Sequence, residues 1–236
     1  MMQGESPTAL GAVEEAWDVI KTVLIAVTVT LVFRFFFFQP FNIPSSSMEP
    51  TLMTGDFVLV DKMAYGYSRA SLIYPLTRMP AAGRLFSGTP ERGEIAVFKN
   101  ARDRNKDYIK RVIGLPGDRI QVIRGVLHVN GVAVERDAVE EPQFTCERVG
   151  LGARQYMETL PEGPTYLVQE CDGDLGVYDG TVVSMVPEGH YFAMGDNRDR
   201  SADSRSGKVR FIPHDQLVGK ARRVAFSING KQARFW

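Results

Sequence analysis

The sequence predicts a mainly β protein that carries one transmembrane helix at its N-terminus. Three observations lead to this prediction. A largely apolar segment lies near the N-terminus, short runs of β-branched and aromatic residues follow it, and Gly, Pro and Asn separate those runs. The 236 residues, of which 44% are hydrophobic, suffice for one or two domains besides an anchor. No long helical period is visible beyond the first segment.

The predicted transmembrane anchor comprises residues 17–38. As an α-helix this segment would be roughly 33 Å long, enough to cross the hydrocarbon core of a bilayer. A cleavable secretory signal is the alternative interpretation. However, phenylalanines occupy positions 35–38, where cleavage needs small residues. We therefore expect the helix to stay attached to the rest of the chain.

The positive charges around the anchor predict its orientation. Lys21 and the α-amine lie on the N-terminal side, whereas no Lys or Arg occurs between Gln39 and Asp61. Because Lys and Arg accumulate on the cytoplasmic side, this distribution favours a cytoplasmic tail at residues 1–16 and an outer location for the remaining chain.

The outer chain is predicted to fold as short strands. These strands are expected at residues 57–60, 95–98, 108–113, 120–123, 126–129, 182–186, 191–194 and 218–226. Asn130-Gly131 predicts a type I′ hairpin turn. Residues 63–92, rich in Gly, Pro, Ser and Arg, are predicted to be a long surface loop, with a hairpin resting on lipid headgroups as the alternative.

The composition limits the classes of ligand. Lys plus Arg and Asp plus Glu both total 28, so the net charge is zero and no nucleic-acid partner is expected. The sequence contains no HExxH motif and no Cys/His ligand cluster, so we predict neither a metal nor a cofactor. Cys146 and Cys171 could form one disulfide in an oxidising compartment or could be two reduced thiols.

Three segments carry the candidate chemistry. Residues 41–52 place three adjacent serines just outside the anchor, residues 108–118 place Lys110 among apolar neighbours, and residues 195–205 form a polar loop. A serine hydroxyl, a lysine that burial can deprotonate, and a polar loop to orient them are the components of a Ser–Lys hydrolase.

The residues alone leave the choice of nucleophile and of base open. A strand period of two would put Ser45 and Ser47 on one side of the chain and Ser46 on the other. Lys110 and Arg111 alternate along a strand, so periodicity does not decide which charge is buried. The three histidines lie in no recognisable motif and are expected to be structural or surface residues: His128, His190 and His214.

The three segments, in this order, resemble bacterial type I signal peptidases, a family of Ser–Lys serine endopeptidases. The resemblance extends over the anchor and most of the outer chain. It implies that Ser47, directly before Met48, is the nucleophile and that Lys110 is the general base. It also implies an oxyanion hole made by the Ser45 hydroxyl and the Ser47 N–H, and a hydrogen bond from Ser201 that orients the lysine.

The resemblance also implies a substrate site. Secretory preproteins with small residues at positions P1 and P3 would bind as extended peptides in shallow pockets lined by Ile43, Pro44, Met48, Leu52, Tyr108 and Ile109. In the polar loop we expect a structural ion pair between Asp203 and Arg205, with Asp196, Asn197 and Arg198 as further scaffolding.

The resulting organisation is a catalytic β domain at residues 39–118 and 190–236, interrupted by an inserted, smaller, non-catalytic β domain at residues 119–189. The expected location is the bacterial inner membrane, as a single-pass protein that contacts the lipid bilayer and acts as a monomer, with its catalytic domain on the outer side. Rival interpretations are another Ser–Lys peptidase, such as a pilus-maturation peptidase or a self-cleaving repressor, and a membrane-anchored β module that only binds partners.

Overall fold

A computed structural model of the chain describes residues 9–71, 83–100, 103–140, 153–173 and 176–228. Its first element, helix α1, extends over Ala9–Phe36. Within it, Val13–Arg34 has a mean hydropathy of 1.9 and is entirely unburied, which fits a single-pass membrane anchor. The helix ends before Phe38, the last residue of the expected anchor, because Phe38 already pairs with Asp61 in the first two strands.

The rest of the described chain consists mainly of strands, which confirms the predicted fold class. They are β1 (Phe38–Asn42), β2 (Asp56–Asp61), β3 (Ile95–Asn100), β4 (Asp103–Gly114), β5 (Arg119–Ile123), β6 (Val126–Val129), β7 (Val132–Ala133), β8 (Glu135–Ala138), β9 (Arg154–Thr159), β10 (Thr165–Glu170), β11 (Ser184–Met185), β12 (His190–Met194), β13 (Ile212–Pro213) and β14 (Leu217–Ser227).

These strands form three antiparallel sheets. The large sheet has the order β1-β2-β14-β3-β4-β12-β13, so its strands come from both ends of the outer chain. The residues between β4 and β12 contribute a four-stranded sheet, β11-β5-β6-β7, and a three-stranded sheet, β10-β9-β8. The arrangement places the last long strand, β14, between β2 and β3 near the middle of the large sheet.

A shared hydrophobic core holds the smaller sheets against the large one. Ile113 of β4 and Phe192 of β12 pack in the same buried cluster as Leu127 of β6 and Val168 of β10. A second cluster beneath the large sheet joins the segment after β1 to strands β2, β3 and β14. The ends of β4 and β12 therefore have a fixed position relative to the three-stranded sheet.

Some strands are not predicted from the sequence, and the reasons can be identified. Strand β1 contains Pro40, which lacks an N–H, but β1 lies at the edge of the large sheet, where an outward N–H needs no partner. Strands β8 and β9 carry charged residues and lack a clean alternation of polar and apolar side chains. The predicted turn at Asn130-Gly131 is present, with the positive φ angles of 55° and 85° that a type I′ turn requires.

The described parts of the 63–92 segment attach to the large sheet. Tyr67 pairs with Leu85 in an antiparallel bridge. The Arg84 guanidinium donates hydrogen bonds to the carbonyls of Tyr65 (3.0 Å) and Leu217 (2.6 Å), among others, and so ties this segment to the start of β14. Residues 72–82 lie outside the described part, so contact of the segment with lipid stays a prediction.

Candidate active site

Ser47 lies in a short 3-10 turn, Ser46–Met48, that follows β1. Ser45, just before this turn, is extended (φ −143°, ψ 157°). Met48 and Leu52 are buried in the core beneath the large sheet and hold the turn in place. Two buried apolar side chains thus fix the backbone of Ser47, a residue that is itself only 8% exposed.

The two outer serines of the tri-serine run approach each other. Ser45 Oγ and Ser47 Oγ are 3.4 Å apart. The expected cause, a strand period of two, is wrong because the chain turns at Ser46–Met48 instead of continuing as a strand. The turn nevertheless places the two hydroxyls together, so the roles assigned to Ser45 and Ser47 remain geometrically compatible.

Lys110 lies in β4, directly beside Ser47. Its Nζ is 2.7 Å from Ser47 Oγ, and it donates a hydrogen bond of 2.7 Å to the carbonyl oxygen of Ile109. The side chain is 3% exposed. Ser47 and Lys110, 63 positions apart in the chain, are therefore in direct contact through a hydroxyl and an amine that are both shielded from water.

Burial lowers the pKa of the Lys110 amine from 10.5 to about 8. The carboxylates of Asp203 and Asp196 oppose this decrease, and the positive charge of Arg205 adds to it. A substantial fraction of the amine is thus neutral slightly above neutral pH. A neutral amine can accept the proton of a serine hydroxyl, which a lysine of ordinary pKa cannot do.

Arg111, the next residue of β4, forms a buried ion pair with Asp196 of the polar loop. Its Nε and Nη2 donate to the two carboxylate oxygens at 2.8 and 2.6 Å. Thr51 donates a further hydrogen bond to Asp196, at 2.5 Å, from the segment that carries Ser47. The network joins the serine segment, β4 and the polar loop around one carboxylate.

The polar loop contains the expected ion pair between Asp203 and Arg205. Arg205 donates to both Asp203 oxygens at 3.0 and 2.8 Å, and the Gly195 N–H donates to the same carboxylate at 3.0 Å. Burial raises the pKa of Asp203, but the charge and hydrogen bonds of Arg205 and the Gly195 N–H outweigh that effect and hold this pKa below its usual value. Asn197 donates its backbone N–H to the carbonyl of Ser47 at 3.3 Å.

Ser201 differs from its expected geometry. Its hydroxyl is buried and lies close enough to the Asp203 carboxylate to help lower the pKa of that group, but the implied bond to Lys110 is not formed. Ser201 does lie close to the nucleophile segment. A Cβ placed on Gly195 would collide with both the Ser201 hydroxyl and the Ser47 carbonyl oxygen. Its role in orienting the lysine remains a prediction.

A second buried ion pair supports the loop from the three-stranded sheet. Arg198 donates to Glu158 of β9 through both terminal nitrogens, and Tyr166 of β10 donates to the same carboxylate at 2.8 Å. The Tyr166 ring also stacks on the Arg111 guanidinium, 4.0 Å from the ring centroid. The sequence analysis missed Thr51, Glu158 and Tyr166. The sequence indicates Arg111 only as the neighbour of Lys110. Its ion pair with Asp196 joins residues 85 positions apart, and such a contact leaves no local signal in the sequence.

The residues implied to line substrate pockets divide into two groups. The side chains of Ile43, Met48 and Leu52 are almost completely buried in the hydrophobic core, which corrects the expectation that they are open to a peptide. Pro44 is exposed, while Tyr108 and Ile109 are half-buried. The surface left for a substrate beside Ser47 and Lys110 is thus narrower than expected.

The remaining candidates lie apart from this constellation. The rings of His128 and His190 bond nearby backbone carbonyls, and His214 bonds the Tyr191 and Ser87 hydroxyls. Within the described ranges, no group of three or more His, Cys, Asp or Glu side chains could hold a metal ion. Cys146 lies outside those ranges, so its disulfide with the buried Cys171 stays a prediction.

Comparisons with known proteins match most of the chain. The family described as "Signal peptidase, peptidase S26" matches residues 16–226. The signal peptidase I of Rickettsia typhi is 40% identical over 210 residues, which cover 85% of this chain and 76% of that protein. The signal peptidase I of Rickettsia akari is 39% identical over 232 residues, covering 94% and 83%. A crystal structure of a signal peptidase I from Enterococcus faecalis V583 has 25% identity and a TM-score of 0.33, covering 56% of this chain and 96% of that one.

Proposed function

The chain belongs to the signal peptidase family, peptidase S26, and is a serine endopeptidase that removes signal peptides; from this premise we propose that Ser47 and Lys110 form its catalytic dyad. One observation carries this proposal. The Lys110 amine lies 2.7 Å from the Ser47 hydroxyl, and both side chains are buried. This is the distance at which a base can take the proton of a nucleophile directly.

The reaction begins with proton transfer. Neutral Lys110 accepts the hydroxyl proton of Ser47 while Oγ attacks the carbonyl carbon of the scissile bond. The resulting oxyanion is stabilised by the Ser47 N–H and the Ser45 hydroxyl, whose oxygen is 3.4 Å from Ser47 Oγ. The tetrahedral intermediate then expels the leaving amine, which takes the proton from Lys110, and an acyl-enzyme on Ser47 remains.

Hydrolysis of the acyl-enzyme repeats these steps with water. Lys110, neutral again, takes a proton from a water molecule that attacks the ester carbonyl, and then returns it to Ser47 Oγ as the ester bond breaks. The pKa of about 8 suits both directions, since the amine both accepts and donates a proton near neutral pH. Ser201 would orient the lysine through its hydroxyl, which is buried close to the Ser47 segment.

The proposed substrates are secretory preproteins with small residues at positions P1 and P3. Pro44, Tyr108 and Ile109 are the proposed pocket residues that stay accessible beside the dyad, and they would contact these side chains. The helix Val13–Arg34 would hold the enzyme in the bacterial inner membrane, with the active site on the outer side and the enzyme functional as a monomer. Ser47 follows the end of this helix closely in sequence, which favours cleavage near the membrane surface.

Cleavage of a preprotein in detergent tests the proposal. The wild-type enzyme should release a mature protein cut at one site, whereas Ser47→Ala and Lys110→Met should not. Mass spectrometry of the wild-type enzyme, quenched in acid during turnover, should detect the acyl group on the peptide that contains Ser47. A module that only binds partners would leave the preprotein intact with every variant. A dyad built on another serine would leave Ser47→Ala active.

A further inference from the structure

A groove of about 640 Å³ lies between the large sheet and the three-stranded sheet. Thr51 and Arg111 line it, as do Ile95 of β3, Lys220 of β14 and Leu167 of β10. Its volume is in the range that accommodates small-molecule-sized ligands, and therefore a short peptide segment. Since Thr51 and Arg111 also bond Asp196, the groove adjoins the network that holds the serine segment and β4 together.

One wall of the groove is a free strand edge. Strand β10 is the outermost strand of its sheet, paired only with β9 in the order β10-β9-β8. Near its C-terminal end, Gln169 donates its N–H to the Asp196 carbonyl at 2.9 Å and accepts from the Arg198 N–H at 2.8 Å. The outward backbone groups at this end of β10 are therefore occupied by the polar loop.

The other end of the same edge lacks such a partner. Outward-pointing backbone groups alternate along an antiparallel strand, so those of Leu167 and Thr165 point to the same side as those of Gln169. In the described chain no strand pairs with this side of Leu167 or Thr165. An edge with unpaired N–H and C=O groups is a template on which an extended peptide can add as a further strand.

The charges at the groove favour an uncharged backbone as its ligand. Lys220 is paired with Glu94, and Arg222 with Asp61, so the cations on the large-sheet wall are already neutralised. The remaining surface includes the apolar side chains of Ile95 and Leu167. A strongly anionic ligand would find few free positive charges here, whereas the main chain of a peptide would find the hydrogen-bonding groups of β10.

The position of the groove along β4 indicates which part of the substrate it binds. Tyr108 and Ile109, proposed to contact the signal-peptide side, precede Lys110 in the strand, whereas Arg111 follows it. The nucleophile segment has the same order, with Pro44 before Ser47 and Thr51 after it. The groove is therefore lined by residues that follow Ser47 and Lys110 in their segments, and not by the signal-side residues that precede them.

We propose that this groove binds the segment of the preprotein immediately after the scissile bond, the start of the mature protein, by strand addition to Leu167 and Thr165 of β10. The proposal rests on the proposed signal-peptidase function. It gives the three-stranded sheet, predicted to be non-catalytic, a role in substrate binding.

The test uses the full chain in detergent and two synthetic peptides with the same signal-side sequence. One peptide ends two residues after the scissile bond, and the other ends eight residues after it. The wild-type enzyme should have the higher kcat/KM for the longer peptide.

Leu167→Pro removes an N–H that points into the groove and makes no hydrogen bond to β9. Proline is tolerated at such a free strand edge. It should lower the long-to-short ratio about threefold to tenfold, the effect of one hydrogen bond. Leu167→Val, which retains the N–H, should preserve the ratio.

A second measurement does not depend on the folding of a variant. In the longer peptide, each mature residue in turn carries an N-methylated amide, and cleavage by the wild-type enzyme is measured. Strand addition predicts that every second methyl group lowers kcat/KM. Equal losses for both peptide lengths in Leu167→Pro, or a wild-type enzyme indifferent to mature length, would overturn the groove proposal alone. A wild-type enzyme that cleaves neither peptide would overturn the proposed function, and the groove proposal with it.

Discussion

Lys110 and Arg111 are adjacent in β4 and equally buried, at 3% and 4% exposure, yet burial leaves them with opposite protonation behaviour. The pKa of Lys110 decreases to about 8 because no carboxylate contacts its amine closely enough to offset desolvation. Desolvation also acts to lower the pKa of Arg111, but the bidentate Asp196 outweighs it and raises that pKa above the usual value. One residue is prepared to release its proton, and its neighbour is fixed as a permanent cation.

The first prediction concerns the pH dependence of cleavage. Since only the neutral amine of Lys110 can act as a base, kcat/KM should increase about tenfold per pH unit below pH 8 and level off above that value. Lys110→Arg should be as inactive as Lys110→Met, because a guanidinium does not lose its proton at accessible pH. Rates measured from pH 6 to 10 test this. Near-normal activity of Lys110→Arg would contradict the role as base.

The second prediction separates the three serines. Ser47→Ala should abolish cleavage, because its hydroxyl is the one 2.7 Å from the Lys110 amine. Ser45→Ala should retain activity reduced about 10²–10³-fold, the usual effect of removing one oxyanion donor. Ser46→Ala is the matched control and should cleave at nearly the wild-type rate. Steady-state kinetics on one peptide decide the order, and an inactive Ser46→Ala beside an active Ser47→Ala would refute the assignment.

The extent to which the sequence predicts this site depends on sequence distance. Ser47 and Lys110 each lie in a recognisable local motif, so the resemblance identifies both. The strands alternate clearly enough to predict the mainly β fold, whereas strands with charged faces, such as β9, were missed. Tyr166 has no motif at all. Its significance arises only when β10 packs beside β4 and its ring stacks on Arg111, a tertiary contact that leaves no trace in local periodicity.

The third prediction concerns the buried ion pair of Arg111. Arg111→Met leaves the Asp196 carboxylate buried without its partner, so the free energy of unfolding should decrease by about 3–5 kcal/mol, and cleavage should decrease with it. Lys99→Met is the control, because its pair with Asp107 is partly exposed and should contribute less than about 1 kcal/mol. Urea denaturation of the three proteins gives the comparison. Similar losses in both variants would mean that the Asp196 pair contributes no more than a surface pair.

The fourth prediction tests the close packing of the polar loop against the nucleophile. A methyl group at Gly195 would collide with Ser201 and with the Ser47 carbonyl oxygen, so Gly195→Ala must displace one of them. We expect kcat to decrease about 100-fold or more, because small displacements of reacting groups have effects of that size. Gly207→Ala, where no atom lies within 4 Å of the added methyl group, should have wild-type kcat. A fully active Gly195→Ala enzyme would show that the loop adjusts without moving Ser47.

The fifth prediction concerns membrane contact by the outer domain. Leu85 and Phe86 are 69% and 85% exposed. Leu85 is paired with Tyr67, whose hydroxyl donates a hydrogen bond to the carbonyl of Phe36 at the end of the anchor helix. Two exposed apolar side chains thus lie next to the point where the chain leaves the membrane. Burying such side chains in the lipid interface is favourable by roughly 1.5–3 kcal/mol each.

A protein that lacks residues 1–36 retains the whole of β1, so the outer domain should still fold. Because it also retains Leu85 and Phe86, it should still float with phosphatidylethanolamine/phosphatidylglycerol vesicles. Replacing Leu85 and Phe86 with serine should reduce the floating fraction at least tenfold. Val177→Ser/Val182→Ser is the matched control, because these valines are 89% and 82% exposed but lie between β10 and β11, and its floating fraction should equal that of the parent. An equal loss in both double variants would indicate non-specific adsorption. A parent protein that remains wholly soluble would leave the anchor helix as the sole membrane contact.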